Sequence, residues 1–173
     1  HPQGVSIGSD RIHDALIVGS GAAGGAAAFH LAAAGHDVVV LERDTELRIK
    51  PCGGGMAASV QQWFPFSLEP AVEQVIRQVD FSWCLNDPVI AELPGAAPFW
   101  IVRRELLDQL LSEQAIQAGV ERINGVDVDD VTRQGDVWTV TSTDQRQWRG
   151  RSVVIADGSQ SPWPQRLGLG AKQ

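Results

Sequence analysis

The sequence predicts an α/β fold: a mostly parallel sheet, with an inserted antiparallel β segment and a β-meander before the sheet resumes. Three observations carry this expectation. Apolar runs at 15–18 and 38–41 flank an Ala-rich helical stretch, and a helix between two strands is the crossover that parallel strands need. After residue 42 that alternation stops, and strand-like runs broken by Pro and Gly take over. A last apolar run at 152–156 then resumes the sheet pattern.

The first strand–helix–strand unit is the most informative stretch. Ala15-Leu16-Ile17-Val18 ends in Gly19-Ser20-Gly21-Ala22-Ala23-Gly24; the helix follows, Gly35 stops it, and Val38-Val39-Val40-Leu41 leads to Glu42 and Arg43. Strand, glycine turn, helix, strand and acid form the dinucleotide-binding fingerprint in its full context. Gly19 permits the tight turn, and Gly21 lacks the Cβ that would block a pyrophosphate. Gly24, with Ala28 one turn later, lets the helix lie close on the sheet. The helix start at Ala22 and Ala23 turns free N–H groups and a positive dipole end toward phosphates. Glu42, eighteen residues after Gly24, stands where a carboxylate accepts from a ribose diol, with Arg43 beside it as a further candidate. Gly21 and Gly25 also make a GxxxG, but the apolar window closes at His30, His36 and Asp37 and is too short to span a bilayer.

Beyond Glu42, residues 43–55 read as a polar loop closing in three glycines. The spacing of Val72, Val75, Ile76 and Val79 predicts a helix over 70–79. From 80 to 102 the runs read as strands with turns at Asp87-Pro88 and Pro94-Gly95. Leu106, Leu107, Leu110, Leu111 and Ala115 form the stripe of a helix over 103–118, and Gly119 stops it. Strands are expected at 126–132, 137–142, 147–149 and 152–156, the last ending in Asp157-Gly158. The expected organisation is a tag or disordered terminus over 1–12 and a dinucleotide-binding domain over 13–173, with 56–102 an insertion belonging to an incomplete substrate domain.

Lys50-Pro51-Cys52-Gly53-Gly54-Gly55 is the second chemical signal. Consecutive glycines let backbone approach a flat ligand, and their N–H groups can face electron-rich atoms. Cys52 is then the one reactive group the loop presents, as proton donor, redox partner or small filler. Cys84, between Trp83 and Leu85, reads as core filler.

The fingerprint, Glu42, the KPCGGG loop, the Arg103-Arg104-Glu105-Leu106-Leu107-Asp108 helix start and Ala156-Asp157-Gly158 together resemble the geranylgeranyl reductase family, a cyanobacterial or plastid-like branch of FAD-dependent oxidoreductases close to the chlorophyll-pathway reductases. The resemblance covers about residues 13–168 and implies a Rossmann-like FAD-binding domain of the aromatic-hydroxylase and glutathione-reductase type. It implies FAD contacts at Gly19, Gly21, Ala22, Ala23, Gly24, Glu42, Arg43, Cys52, Gly53, Gly54, Asp157 and Gly158, and at an arginine of the helix start, Arg103 being favoured over Arg104. The implied reaction is hydride transfer from reduced flavin to an isoprenoid double bond, with Cys52 as catalytic acid and NADPH or ferredoxin as electron donor. An FAD-dependent monooxygenase, a quinone-linked dehydrogenase and a non-catalytic nucleotide-binding fragment are the alternatives. Family members are longer, so the expectation is a truncated N-terminal part whose activity by itself is in question.

Composition removes other classes. A net charge of −7 with no basic cluster argues against nucleic acid. Two cysteines make no disulfide framework, which points to a reducing, cytoplasmic setting; the resemblance leaves open a peripheral membrane contact of the full-length protein and its oligomeric state. His1, His13, His30 and His36 show no metal-ligand spacing, so no metal is expected. The six tryptophans are expected mostly in core and rim. Trp63-Phe64-Pro65-Phe66 is the exception, an aromatic patch suited to a channel for an apolar tail or to a hydrophobic lid.

Overall fold

A computed structural model of the chain describes residues 11–46 and 49–169. The expected terminal tag falls almost wholly outside the described residues, as do Leu47 and Arg48 of the polar loop. In chain order the elements are β1 (Ile12–Val18), α1 (Ala22–Ala33), β2 (Val38–Glu42), β3 (Gly55–Ala57), β4 (Val72–Ile76), β5 (Gln78–Trp83), β6 (Asn86–Glu92) and β7 (Phe99–Val102). They continue with α2 (Arg104–Gln117), β8 (Glu121–Asn124), β9 (Val128–Gln134), β10 (Val137–Ser142), β11 (Gln147–Ile155) and α3 (Trp163–Arg166). The chain divides into two compact units, one made of His1–Leu47 with Leu111–Gln173, the other of Arg48–Leu110.

The first unit is the α/β fold that the sequence predicts. Its six strands lie in the order β8-β2-β1-β11-β10-β9. The first four are parallel neighbours, and β11-β10-β9 form an antiparallel meander at the other edge. Pleat alternation divides β1 and β2 between two faces. Leu16, Val18, Val39 and Leu41 enter a core with Val126, Val131, Val140, Trp148 and Trp163, all buried. Ile17 faces α1, whose Ala28 and Phe29 are buried. Each such side chain contributes roughly 1.5–3 kcal/mol by leaving water, so the first strand–helix–strand unit is the best anchored part of the chain.

Two expected strands, 147–149 and 152–156, are one. β11 runs through Gly150, where a Cβ would lie 2.8 Å from Leu16 Cγ, so the glycine that reads as a break is a packing requirement. The sequence reading also passed over β8, whose four residues Glu-Arg-Ile-Asn lack an apolar run but pair with β2 as the parallel edge strand.

The second unit holds a three-stranded antiparallel sheet, β3-β7-β4, and a separate hairpin, β5-β6. The helix expected over 70–79 does not form. A short 3₁₀ turn at Glu69–Ala71 leads into β4, and β5 follows at once. Val72, Val75 and Ile76 are β-branched, and pairing with β7 outweighs a weak helical spacing. The turn expected at Asp87-Pro88 lies instead at Cys84-Leu85, both with positive φ (49° and 62°), while Asp87 and Pro88 sit inside β6. The β5–β6 register shifts between Phe81 and Trp83, opposite Asp87 and Pro88, and such an irregularity tolerates a residue without an N–H. Cys84 is accordingly exposed at a hairpin tip, contrary to its reading as core filler. Trp100, Trp148 and Trp163 are buried, whereas Trp63 and Trp83 are 66% and 79% exposed.

Candidate dinucleotide site

The glycine turn is built by close approach. Gly19 has φ +95°, and a Cβ there would lie 2.5 Å from the Ala156 carbonyl oxygen and 2.8 Å from Asp157 Cα. The turn is thus pressed against the end of β11, a reason for glycine beyond the tightness of the turn. A Cβ on Gly24 would overlap the Gly19 carbonyl oxygen and touch Ile17, so Gly24 seats α1 on the sheet as expected. Gly21 differs. Its φ of −68° and ψ of −171° suit any residue, so the backbone gives no reason for a glycine at the N-cap. The α1 start has no side-chain cap and no acid in its first turn, leaving N–H groups that lack intrahelical partners. A positive dipole end without a built-in anion is what a pyrophosphate site requires.

Glu42 ends β2 and is already engaged. Its Oε2 accepts from the Ser20 backbone N–H at 2.7 Å and from the Ser20 hydroxyl at 2.6 Å; its Oε1 accepts from the Asp44 N–H at 2.9 Å. Burial opposes its ionisation. The hydrogen bonds from Ser20 and Asp44, with the charge of Arg122, outweigh that and hold the carboxyl below its ordinary value of 4.5. Glu42 thus also ties the end of β2 to the glycine turn. Ser20 and Arg122 were not singled out from the sequence; the signal for Ser20 was its place inside the fingerprint, beside an acid at the next strand end. Arg43 is exposed, with Asp44 at 3.7 Å.

Asp157 and Gly158 follow β11, and Gly158 adopts φ +100°, so the turn there needs its glycine. Asp157 Cα lies against the Gly19 turn, which brings the Asp-Gly pair and the fingerprint together.

In the second unit, Gly54 (φ +72°) packs on Val102, whose N–H donates to the Gly54 carbonyl at 2.9 Å. A Cβ on Gly55 would meet the Phe99 ring at 3.1 Å. Sheet packing accounts for both glycines, leaving Gly53, with no atom near its absent Cβ, as the one free to receive a ligand. Cys52 is exposed; its Sγ accepts from the Gly54 N–H and from Arg104 Nη1, each at 3.4 Å. The Gly54 amide first, then Arg104, lowers the thiol below its ordinary value of 9.0. Both donors favour the thiolate form of Cys52. Asp108, nearly buried, joins Arg104 at 3.3 Å and Lys50 at 2.8 Å. Arg104 thus meets Cys52, while the favoured Arg103 turns to Glu105 at 2.6 Å. Among the described residues no group of three or more His, Cys, Asp or Glu is placed to hold a metal, and no helix is long and apolar enough to cross a membrane.

Residues 14–82 match the FAD dependent oxidoreductase family. The fold is a mixed-sheet, Rossmann-like α/β fold, and its stretch from β1 to β5 is similar to the FAD dependent oxidoreductases. Among curated relatives it is 32% identical over 172 residues to a probable electron transfer flavoprotein-quinone oxidoreductase, YdiS of Escherichia coli, covering 93% of the chain and 40% of that protein. Among solved structures it is similar to a geranylgeranyl bacteriochlorophyll reductase-like protein of Thermoplasma acidophilum, with TM-score 0.80, 20% identity, and 93% and 43% of the two chains covered. It is also similar to a variant of the halogenase PltM in complex with FAD, with TM-score 0.74, 19% identity, and 91% and 36% covered. The chain spans about 40% of the length of the curated relatives it matches.

Proposed function

We propose that the first unit binds the ADP half of FAD and that the chain is the nucleotide-binding part of an FAD-dependent oxidoreductase. The observation that carries this is Gly21: a glycine that the backbone does not need, at the uncapped start of α1, with the ionised Glu42 held at the end of the neighbouring strand. The α1 N–H groups would hold the pyrophosphate, Glu42 the adenosine ribose, and Asp157-Gly158 the chain beyond the phosphates. When bound, FAD supplies hydride or single-electron chemistry, and the protein supplies orientation and electrostatics. Titration with FAD, followed by flavin fluorescence, tests the reading; Gly21→Val should abolish binding because its branched Cβ takes the pyrophosphate's space. Unchanged affinity in that variant, or displacement of FAD by an equal concentration of NAD, would overturn it.

For the reaction, two finer readings follow. Similarity to YdiS over 93% of the chain supports a quinone-linked dehydrogenase. The KPCGGG loop supports reduction of an isoprenoid double bond by hydride from reduced flavin, with NADPH or ferredoxin upstream. Anaerobic reoxidation of the dithionite-reduced holoprotein separates them: a short-chain quinone restores the oxidised flavin spectrum in the first case, a geranylgeranyl compound in the second. A peripheral membrane contact belongs with both readings, because quinones and isoprenoids partition into lipid.

A further inference from the structure

The carboxylate of Glu42 offers about four acceptor positions. The Ser20 N–H and O–H take two on Oε2, at 2.7 Å and 2.6 Å, and the Asp44 N–H takes one on Oε1, at 2.9 Å. One position is left, on Oε1. An adenosine ribose presents two hydroxyls. We propose that Ser20 is a specificity-determining residue that makes Glu42 a one-hydroxyl acceptor, by filling the position that the second ribose hydroxyl would otherwise use.

The proposal rests on the reading of this unit as an ADP-binding site, and it stands on the local geometry. The Ser20 side chain is nearly buried, its residue 9% exposed, and Glu42 is half-buried, so neither is free to exchange its partner for water at will. The Ser20 amide is fixed by the turn between β1 and α1, and the hydroxyl on the same residue reaches the same oxygen. The two bonds therefore reinforce each other, and each is charge-assisted and short. A ribose hydroxyl that displaced the serine hydroxyl would exchange one such bond for another and gain nothing. A hydroxyl donating to the open position of Oε1 adds a bond. Selectivity for the sugar then comes from one hydroxyl of the diol.

The test compares ADP, 2′-deoxy-ADP and 3′-deoxy-ADP by calorimetry on the parent chain and on Ser20→Ala, with thermal melts of both. In the parent, one deoxy analogue should bind about tenfold more weakly than ADP, the loss of one charge-assisted hydrogen bond, and the other within about twofold. In Ser20→Ala the freed position accepts the second hydroxyl, so both analogues should fall several-fold below ADP. Equal losses for both analogues in the parent would show that the ribose displaces Ser20, and would overturn the proposal. No loss for either would show that Glu42 does not meet the ribose, with the same result. The parent measurements decide the matter even if the variant folds poorly. Failure of ADP itself to bind the parent would instead overturn the ADP-site reading.

Discussion

Replacing Gly19 with alanine tests the seam where β1, α1 and the end of β11 meet. The structure sets the cost. An alanine at φ +95° carries left-handed strain of about 1–2 kcal/mol. Its Cβ would start 2.5 Å from the Ala156 carbonyl oxygen, where real contacts keep at least 3.0 Å, so backbone must move by about half an ångström. Overpacking of this kind costs about 1–3 kcal/mol. The less flexible unfolded chain returns about 0.4–1 kcal/mol. The net loss is about 3 kcal/mol, or about 6–12 °C in melting temperature for a chain of this length. Gly25 is the control one turn away. Its Cβ would lie 3.1 Å from Leu111 Cβ in an ordinary helical conformation, and a helix gains about 1 kcal/mol from glycine to alanine. Gly25→Ala should therefore melt close to the parent. Calorimetric melts of the three proteins decide it: Gly19→Ala within about 2 °C of the parent, or Gly25→Ala the worse of the two, would refute the close approach at Ala156.

Three further outcomes follow from the site and its surroundings. Glu42→Gln should weaken ADP binding by about 1–3 kcal/mol. Because the folded carboxyl sits below 4.5, its contribution to stability is complete above that value and lost as pH falls through the folded one, so urea midpoints of the variant should vary less with pH on the acid side. Asp144, held by Arg146 and by the Ser142 hydroxyl, is lowered from 3.8 to about 2; the stability it gives is present above pH 3.8 and lost toward pH 2, and Asp144→Asn should flatten that limb in the same titration. In a Cys84→Ser background, Arg104→Ala should slow iodoacetamide labelling of Cys52 at neutral pH and move its midpoint upward, since the guanidinium is one of two donors to the sulfur.

The first unit was legible because its signals are local and mutually consistent. The fingerprint and the apolar runs on either side of it each specify their element and agree with the tertiary packing. The second unit was misread where the signals compete: Val72, Val75 and Ile76 suit a helix face and a strand equally, and pairing with β7 decides between them. Pro88 read as a turn, but it sits where the β5–β6 register shifts, a place that tolerates a residue without an N–H. β8 had no signal of its own, being made by its neighbour β2. At the site, the glycine roles were readable in kind, but a linear reading gave no sign that Ser20 holds Glu42 or that the Ala156 carbonyl presses on Gly19. Both depend on strand ends that only the sheet brings together.

The shared strand β11 also sets the order of assembly. Its Ser152 hydroxyl donates to the Asp14 carbonyl across 138 residues of chain, a closure that costs about 4 kcal/mol of chain entropy before any contact repays it. The β9–β10 and β10–β11 ribbons and the β5–β6 hairpin need no such search. Registration of β1 against β11 is thus expected to be the late, slow event of folding, with the Gly19 turn taking shape alongside it. Nucleotide capture by a refolding chain would serve as a clock for that step, lagging behind the appearance of secondary structure.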